Sequence, residues 1–324
     1  MKNKKIISKF MFATFAILLT GCGATDTDSQ SKQESSSQSS TTEVSIKEDE
    51  HNSKGKKYTQ LLSATNWQGT KVYDKDNNDL TVENAEFIGL AKYDQATGYY
   101  EFYDKETGET RGDEGTFFIT NDGDKRVLIS KTKNYQAIVD LTEMTEKVFT
   151  YKRMGKDKDG KEIEVFVEHI PYNDTELAFT NGREKLEHST GTINKEVPGI
   201  DILGSTLWNG TKVTDENGND VTKENAMFIS LAKFDPITNK YEFYDKETGE
   251  TKGDFGYFDV LDDNKIRAHV SIGENKYGAV LELSELNDQR FTYKRQGKDK
   301  KGSDITIFVE HEPYSGELTP DFTF

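Results

Sequence analysis

The sequence predicts an all-β protein, two tandem eight-stranded antiparallel meander β-barrels set behind a disordered tether. Three observations predict it. The chain repeats itself at a period of about 141 residues, it breaks into short runs rich in aromatic and β-branched residues, and tight-turn residues separate those runs. The duplication is plain at Tyr100–Thr110, YEFYDKETGET, which returns letter for letter at Tyr241–Thr251. Trp67-x-Gly69-Thr70-Lys71-Val72 returns as Trp208-x-Gly210-Thr211-Lys212-Val213, Phe149–Arg153 as Phe291–Arg295, and Phe166–His169 as Phe308–His311. Two copies at so long a period are two domains rather than a solenoid.

The first element is an export leader, residues 1–21. Lys2, Lys4, Lys5 and Lys9 form a basic start, and Phe10 to Leu19 is an apolar run too short to span a membrane comfortably. It ends in Leu19-Thr20-Gly21-Cys22, a lipobox, so Cys22 is expected to carry a diacylglycerol anchor on the outer face of the cell membrane. Cys22 is the only cysteine, which excludes an internal disulfide and leaves no thiol for a zinc site or a nucleophile in the mature domains. The net charge of −16 becomes more acidic once the four leader lysines are removed, and such a surface repels nucleic acid. The fragment TFAILLTG, Thr14–Gly21, also resembles the short apolar peptides that some Gram-positive cocci release as mating pheromones.

Residues 22–57 read as the lipidated cysteine and a Ser/Gln-rich tether. So polar a stretch has too little apolar surface to offset the entropy of ordering, and ~35 residues of coil average roughly 30–35 Å end to end. The first repeat is placed at 58–180, a polar linker at 181–199 and the second repeat at 200–324.

Within the first repeat eight strand-like runs are expected: Trp67–Tyr73, Glu86–Tyr93, Tyr99–Tyr103, Gly115–Thr120, Arg126–Ser130, Tyr135–Leu141, Lys147–Arg153 and Glu162–Ile170. Turns such as Thr97-Gly98, Asp122-Gly123 and Asp159-Gly160 reverse the chain within a few residues, so neighbouring strands must be antiparallel. Helical signals are weak; Glu143–Glu146 reads as one turn. No connection is long enough to pass between two sheets, and closure removes exposed edges. Eight strands enclose space that is filled by side chains or holds one small ligand. Along the second run Phe87, Gly89, Ala91 and Tyr93 share a face. Trp67 and Trp208 open the first strand of each copy and should be buried at a barrel end.

These motifs resemble a domain family of unknown function found in Gram-positive lipoproteins, often in tandem. The resemblance covers both repeats and implies a cell-surface setting. The architecture is also similar to lipocalin- and avidin-like barrels, in which a Gly-x-Trp on the first strand meets a stacked Arg. Here the order is Trp67-x-Gly69 and Trp208-x-Gly210. Arg126 or Arg153 is expected to stack on Trp67, and Arg267 or Arg295 on Trp208.

Catalytic signatures are not apparent. His169 and His311 follow Glu168 and Glu310 on a strand, so each pair points to opposite faces and cannot act together as acid and base. Asp74-x-Asp76-x-Asn78 begins like a calcium loop, but Asp79 and Ala85 stand where such a loop needs Gly and Glu, so it reads as a hairpin turn. The expectation is a non-enzymatic surface lipoprotein with no cofactor and no metal, partnered with the membrane through its lipid. Two readings of the barrels stay open. Open barrels would each hold a small ligand, lined by Trp67, Tyr93 and Arg126 in the first copy and Trp208, Phe234 and Arg267 in the second. Filled barrels would instead dock an envelope protein or wall polymer by their outer faces.

Overall fold

The computed structural model describes residues 53–182 and 192–324. Cys22, the leader with its Thr14–Gly21 fragment, nearly all of the tether, and His51 and His188 lie outside the described residues.

A helix, α1 (Lys54–Ser63), precedes the first barrel, and its N-terminus is capped by Ser53, whose side chain accepts a hydrogen bond from the Lys56 amide. This corrects the tether boundary: residues 54–57 are the first turn of a helix. The strands then follow as β1 (Asn66–Tyr73), β2 (Leu90–Asp94), β3 (Tyr99–Tyr103), β4 (Thr110–Ile119), β5 (Lys125–Ser130), β6 (Gln136–Met144), β7 (Phe149–Lys156) and β8 (Glu162–Tyr172). All neighbours are antiparallel, and β8 pairs back on β1 through seven residue partners from Asn66↔Tyr172 to Tyr73↔Phe166. The sheet is therefore a closed barrel. Two local expectations are corrected. Ala85–Phe87 is a short 3₁₀ turn rather than strand, so β2 begins at Leu90, and Glu143 lies inside β6 rather than in a helical turn.

The second barrel repeats the plan. A short helix α2 (Gly199–Gly204) leads into β9 (Trp208–Asp215), β10 (Leu231–Asp235), β11 (Lys240–Tyr244), β12 (Thr251–Leu261), β13 (Ile266–Ser271), β14 (Tyr277–Leu286), β15 (Phe291–Lys298) and β16 (Asp304–Pro313), with β16 closing on β9.

Each barrel is sealed at the end where its first strand starts. Trp67 is fully buried and donates its indole N–H to the Leu62 carbonyl at 2.8 Å, which ties the end of α1 to the strand. Leu62, Leu61 and Tyr58 of α1 pack into the same core. Trp208 is equally buried and donates to the Leu203 carbonyl at 2.8 Å. Each indole meets a phenyl ring edge-on, Trp67 with Phe149 at 4.8 Å and Trp208 with Phe291 at 5.0 Å.

The opposite end is looser. β1 pairs with β2 only at Trp67↔Ala91 and Gln68↔Leu90, so the ladder stops soon after the sealed end. The chain that follows is held by Asn84, which is buried and brackets the end of β7: its side chain donates to the Lys156 carbonyl and accepts from the Lys156 amide. Gly155 is required beside it, because a Cβ there would stand 2.5 Å from the Asn84 side-chain oxygen.

The barrels pack against each other through equivalent outer faces. Phe118, Val127 and Ile129 of β4 and β5 cluster with Ala268 and Val270 of β13, joined by Tyr257 and Leu261 of β12. Val127 and Ala268 hold the same position in their repeats, as do Ile129 and Val270. Asn121 donates its amide to the buried Asn239 side chain and its own side-chain N–H to the Pro236 carbonyl, each at 2.6 Å.

Candidate functional site

Inside the first barrel, toward the loose end, lies a cavity of about 520 Å³. That is within the ~300–1,000 Å³ usual for small-molecule sites. Its wall includes Phe87, Gly89, Ala91 and Tyr93, which the alternation of the second run places on one face. Arg126, Tyr151 and His169 line its deep part.

The centre of the site is Arg126, 3% exposed. Its guanidinium sits over the Tyr151 ring at 4.4 Å, with Phe149 at 5.5 Å and Tyr93 at 5.9 Å. One terminal nitrogen donates to the Tyr93 hydroxyl at 2.6 Å, while its Nε has no partner. Among the described residues every ion pair lies elsewhere, so no carboxylate neutralises this buried cation. Arginine stays charged at any pH the fold survives. Burial pushes the Tyr93 hydroxyl up to about 12 against the pull of Arg126, so it remains a neutral phenol. Burial, and then the Arg126 charge, hold His169 down to about 3, so it contributes a neutral ring stacked on Phe149 at 4.3 Å.

Toward the mouth the cations continue. Arg153 stacks on Phe87 at 3.8 Å, Arg111 donates to the Glu86 carbonyl at 3.1 Å, and the exposed Lys133 also lines the opening. The lining carboxylates are Glu86, exposed at the rim, and Asp113. Asp113 accepts hydrogen bonds from Tyr100, Ser130 and Tyr135, which spread its charge over three hydroxyls.

The second barrel carries the same frame with different chemistry. Arg267 is 2% exposed and stands over Tyr293 at 4.7 Å, but Phe234 replaces Tyr93, and both Nε and one terminal nitrogen are without a partner. His269 replaces Leu128; it is buried, 3.3 Å from the Tyr277 hydroxyl, and held well below its usual range by burial and Arg267.

The structure thus brings Tyr93 and Arg126 together in one cavity and leaves Trp67 out of its lining. Trp67 lies beneath Phe149, and the arginine stacks on that phenyl and on Tyr151 rather than on the indole. Arg153 stacks on Phe87. In the second barrel Arg267 stacks on Phe234, Phe291 and Tyr293, Arg295 on Phe228 at 3.7 Å, and Trp208 is again at the sealed end. The expected tryptophan–arginine stacks are therefore corrected in both copies. Sequence reasoning missed Tyr151, Tyr135 and His269. Glu168 and His169 do part to opposite faces: Glu168 accepts from Thr70 outside at 3.0 Å, and His169 is inside. The Asp74 carboxylate is spent on its own turn, accepting from the Asp76 and Asn78 amides.

Fold and cavity together define the class, an up-and-down eight-stranded barrel present twice in one chain, the first copy with an internal chamber. The chain belongs to the DUF4822 family, a domain of unknown function, matched at residues 59–179 and again at 200–322. No curated protein matches it. Among solved structures it is similar to a protein of unknown function of the DUF3598 family from Nostoc punctiforme, at 11% identity over 79% of this chain and 98% of that one, with a TM-score of 0.22. It is also similar to a Trp-176-Ala mutant of transferrin binding protein B from Haemophilus parasuis, at 10% identity over 69% of this chain and 65% of that one, with a TM-score of 0.19. Similarities this distant carry no argument about activity.

Proposed function

We propose that the protein is a lipoprotein tethered through Cys22 to the outer face of the cell membrane, and that it is a binding protein rather than an enzyme. Its first barrel receives a small molecule from outside the cell. The observation that carries the binding reading is the internal cavity of about 520 Å³ with a buried, uncompensated Arg126 on its wall. A void of that size in a close-packed interior forfeits contact energy, and an unpaired buried charge adds several kcal/mol of desolvation cost. Both costs are offset when a ligand fills the space. The cavity favours the ligand reading over a barrel filled by its own side chains. The anchor rests on the basic start, the short apolar run and the lipobox at Leu19–Cys22.

Two measurements test this. Titrating the mature chain with N-phenyl-1-naphthylamine, a neutral two-ring fluorophore, should give saturable fluorescence enhancement, and absence of binding would count against an open barrel. Palmitate labelling in the native host should be lost in Cys22→Ala, and labelling that persists would refute the anchor.

A further inference from the structure

Building on that binding reading, we infer that the first barrel takes an amphiphilic anion, with one acidic group seated on Arg126 in the deep part and an apolar, preferably planar, body extending toward the mouth. The chain as a whole carries a net charge of −16, yet the cavity is lined by Arg111, Arg126, Lys133 and Arg153 against Glu86 and Asp113. A positive interior in an acidic protein is a focused field that attracts anions and turns away cations.

The two ends of the cavity ask for different parts of one ligand. At the deep end Arg126 donates to the Tyr93 hydroxyl and makes no ion pair among the described residues. Asp113 accepts from Tyr100, Ser130 and Tyr135 and makes no ion pair with Arg126. A carboxylate, sulfonate or phosphate oxygen against the Arg126 guanidinium would neutralise the charge, the strongest pairing a guanidinium makes. Nearer the mouth the walls are ring faces: Phe87 under Arg153, Phe102 beside Tyr93 at 6.4 Å, and Tyr135. Such walls suit an aromatic or other planar body. A purely inorganic anion would leave this part of about 520 Å³ empty, and a neutral apolar ligand would leave Arg126 uncompensated.

The test uses two probes that differ by one acid group. 1-Anilinonaphthalene-8-sulfonate is N-phenyl-1-naphthylamine with a sulfonate added. On the full mature chain the sulfonate probe should bind at least tenfold more tightly than the neutral one. Arg126→Met should abolish that preference, so that the two probes bind within about threefold of each other. A cooperative thermal transition checks that the variant is folded, since Met loses the bond to the Tyr93 hydroxyl while relieving the desolvation of a buried cation. Arg267→Met, the matching change in the second barrel, should leave the preference intact. Equal binding of the two probes, a preference that survives in Arg126→Met, or one that disappears in Arg267→Met would overturn the inference while the ligand-binding reading stands. Failure of both probes to bind would overturn the reading itself and the inference with it.

Discussion

The two barrels share a scaffold almost residue for residue and differ in what they place inside it. Both seal one end with a fully buried tryptophan whose indole N–H holds the preceding helix, and both bury an arginine over a tyrosine ring. The contrast lies at a few inward and rim positions. Tyr93 becomes Phe234, Leu128 becomes His269, Glu86 becomes Met227 and Lys133 becomes Glu274. Arg126 keeps a phenol partner, whereas Arg267 has none at the equivalent nitrogen. Duplication preserves what the fold needs, and the inward positions where copies diverge show where the two barrels have parted in chemistry.

The shared part should respond equally. Trp67→Ala and Trp208→Ala each remove a fully buried indole and its 2.8 Å hydrogen bond. Each should cost about 3–5 kcal/mol by urea unfolding. A loss under about 1 kcal/mol in either copy would show that the tryptophan does not hold that barrel end.

Acid should separate the copies. His169 in the first barrel and His311 in the second are held down to about 3 by burial first and arginine second, and His269 adds another depressed histidine to the second barrel. Each is a base whose folded pKa lies below its ordinary 6.5, so the unfolded chain binds the proton more readily. Their stabilising contribution is complete above pH 6.5 and is lost as pH falls toward 3, by roughly 1.4 kcal/mol per histidine for each pH unit. Asp259 works in the opposite sense, since burial raises it to about 7 and its contribution is lost as pH rises from 3.8 through 7. The histidine slope is therefore read in an Asp259→Asn background. There, His269→Leu should flatten the acid side of the stability curve measured by thermal melts between pH 7 and 4. An unchanged slope would mean that His269 takes up its proton in the folded state.

Exchanging the arginine's partner should have a smaller effect. Tyr93→Phe leaves a buried N–H of Arg126 unsatisfied and should cost about 1–3 kcal/mol. Phe234→Tyr supplies the missing acceptor to Arg267 and should stabilise by about 1 kcal/mol. The pair of variants converts each barrel toward the other, and shifts of opposite sign in unfolding midpoint would be the sharpest support. The smallest change belongs to Lys54 and Asp124, paired at 3.0 Å with both side chains more than half exposed. Lys54→Ala should move stability by less than about 1 kcal/mol.

Much of this was legible in the sequence because turns and alternation are local signals. Thr97-Gly98, Asp122-Gly123 and Asp159-Gly160 mark reversals that the structure makes, with Gly98, Gly123 and Gly160 all at positive φ. The alternation Phe87, Gly89, Ala91, Tyr93 marks a wall of the cavity. Helix α1 was hidden because KGKKYTQLLS is as polar as the tether before it. What makes it a helix is the docking of Leu61 and Leu62 on a barrel end, a contact with no local trace. Alternation says that Trp67 points inward but not at which end of the barrel its neighbours leave space, so the pattern alone groups it with Tyr93 and Arg126 although Phe149 lies between. His269 escaped notice because its repeat partner is Leu128; comparing the copies at inward positions would have found it.

The most direct test of the account is a crystal structure of the mature chain grown with 1-anilinonaphthalene-8-sulfonate. The account predicts one probe inside the first barrel, its sulfonate within hydrogen-bond distance of Arg126 and its rings among Phe87, Phe102 and Tyr135. A first barrel closed over its own side chains, with the probe only on outer surfaces, would contradict it.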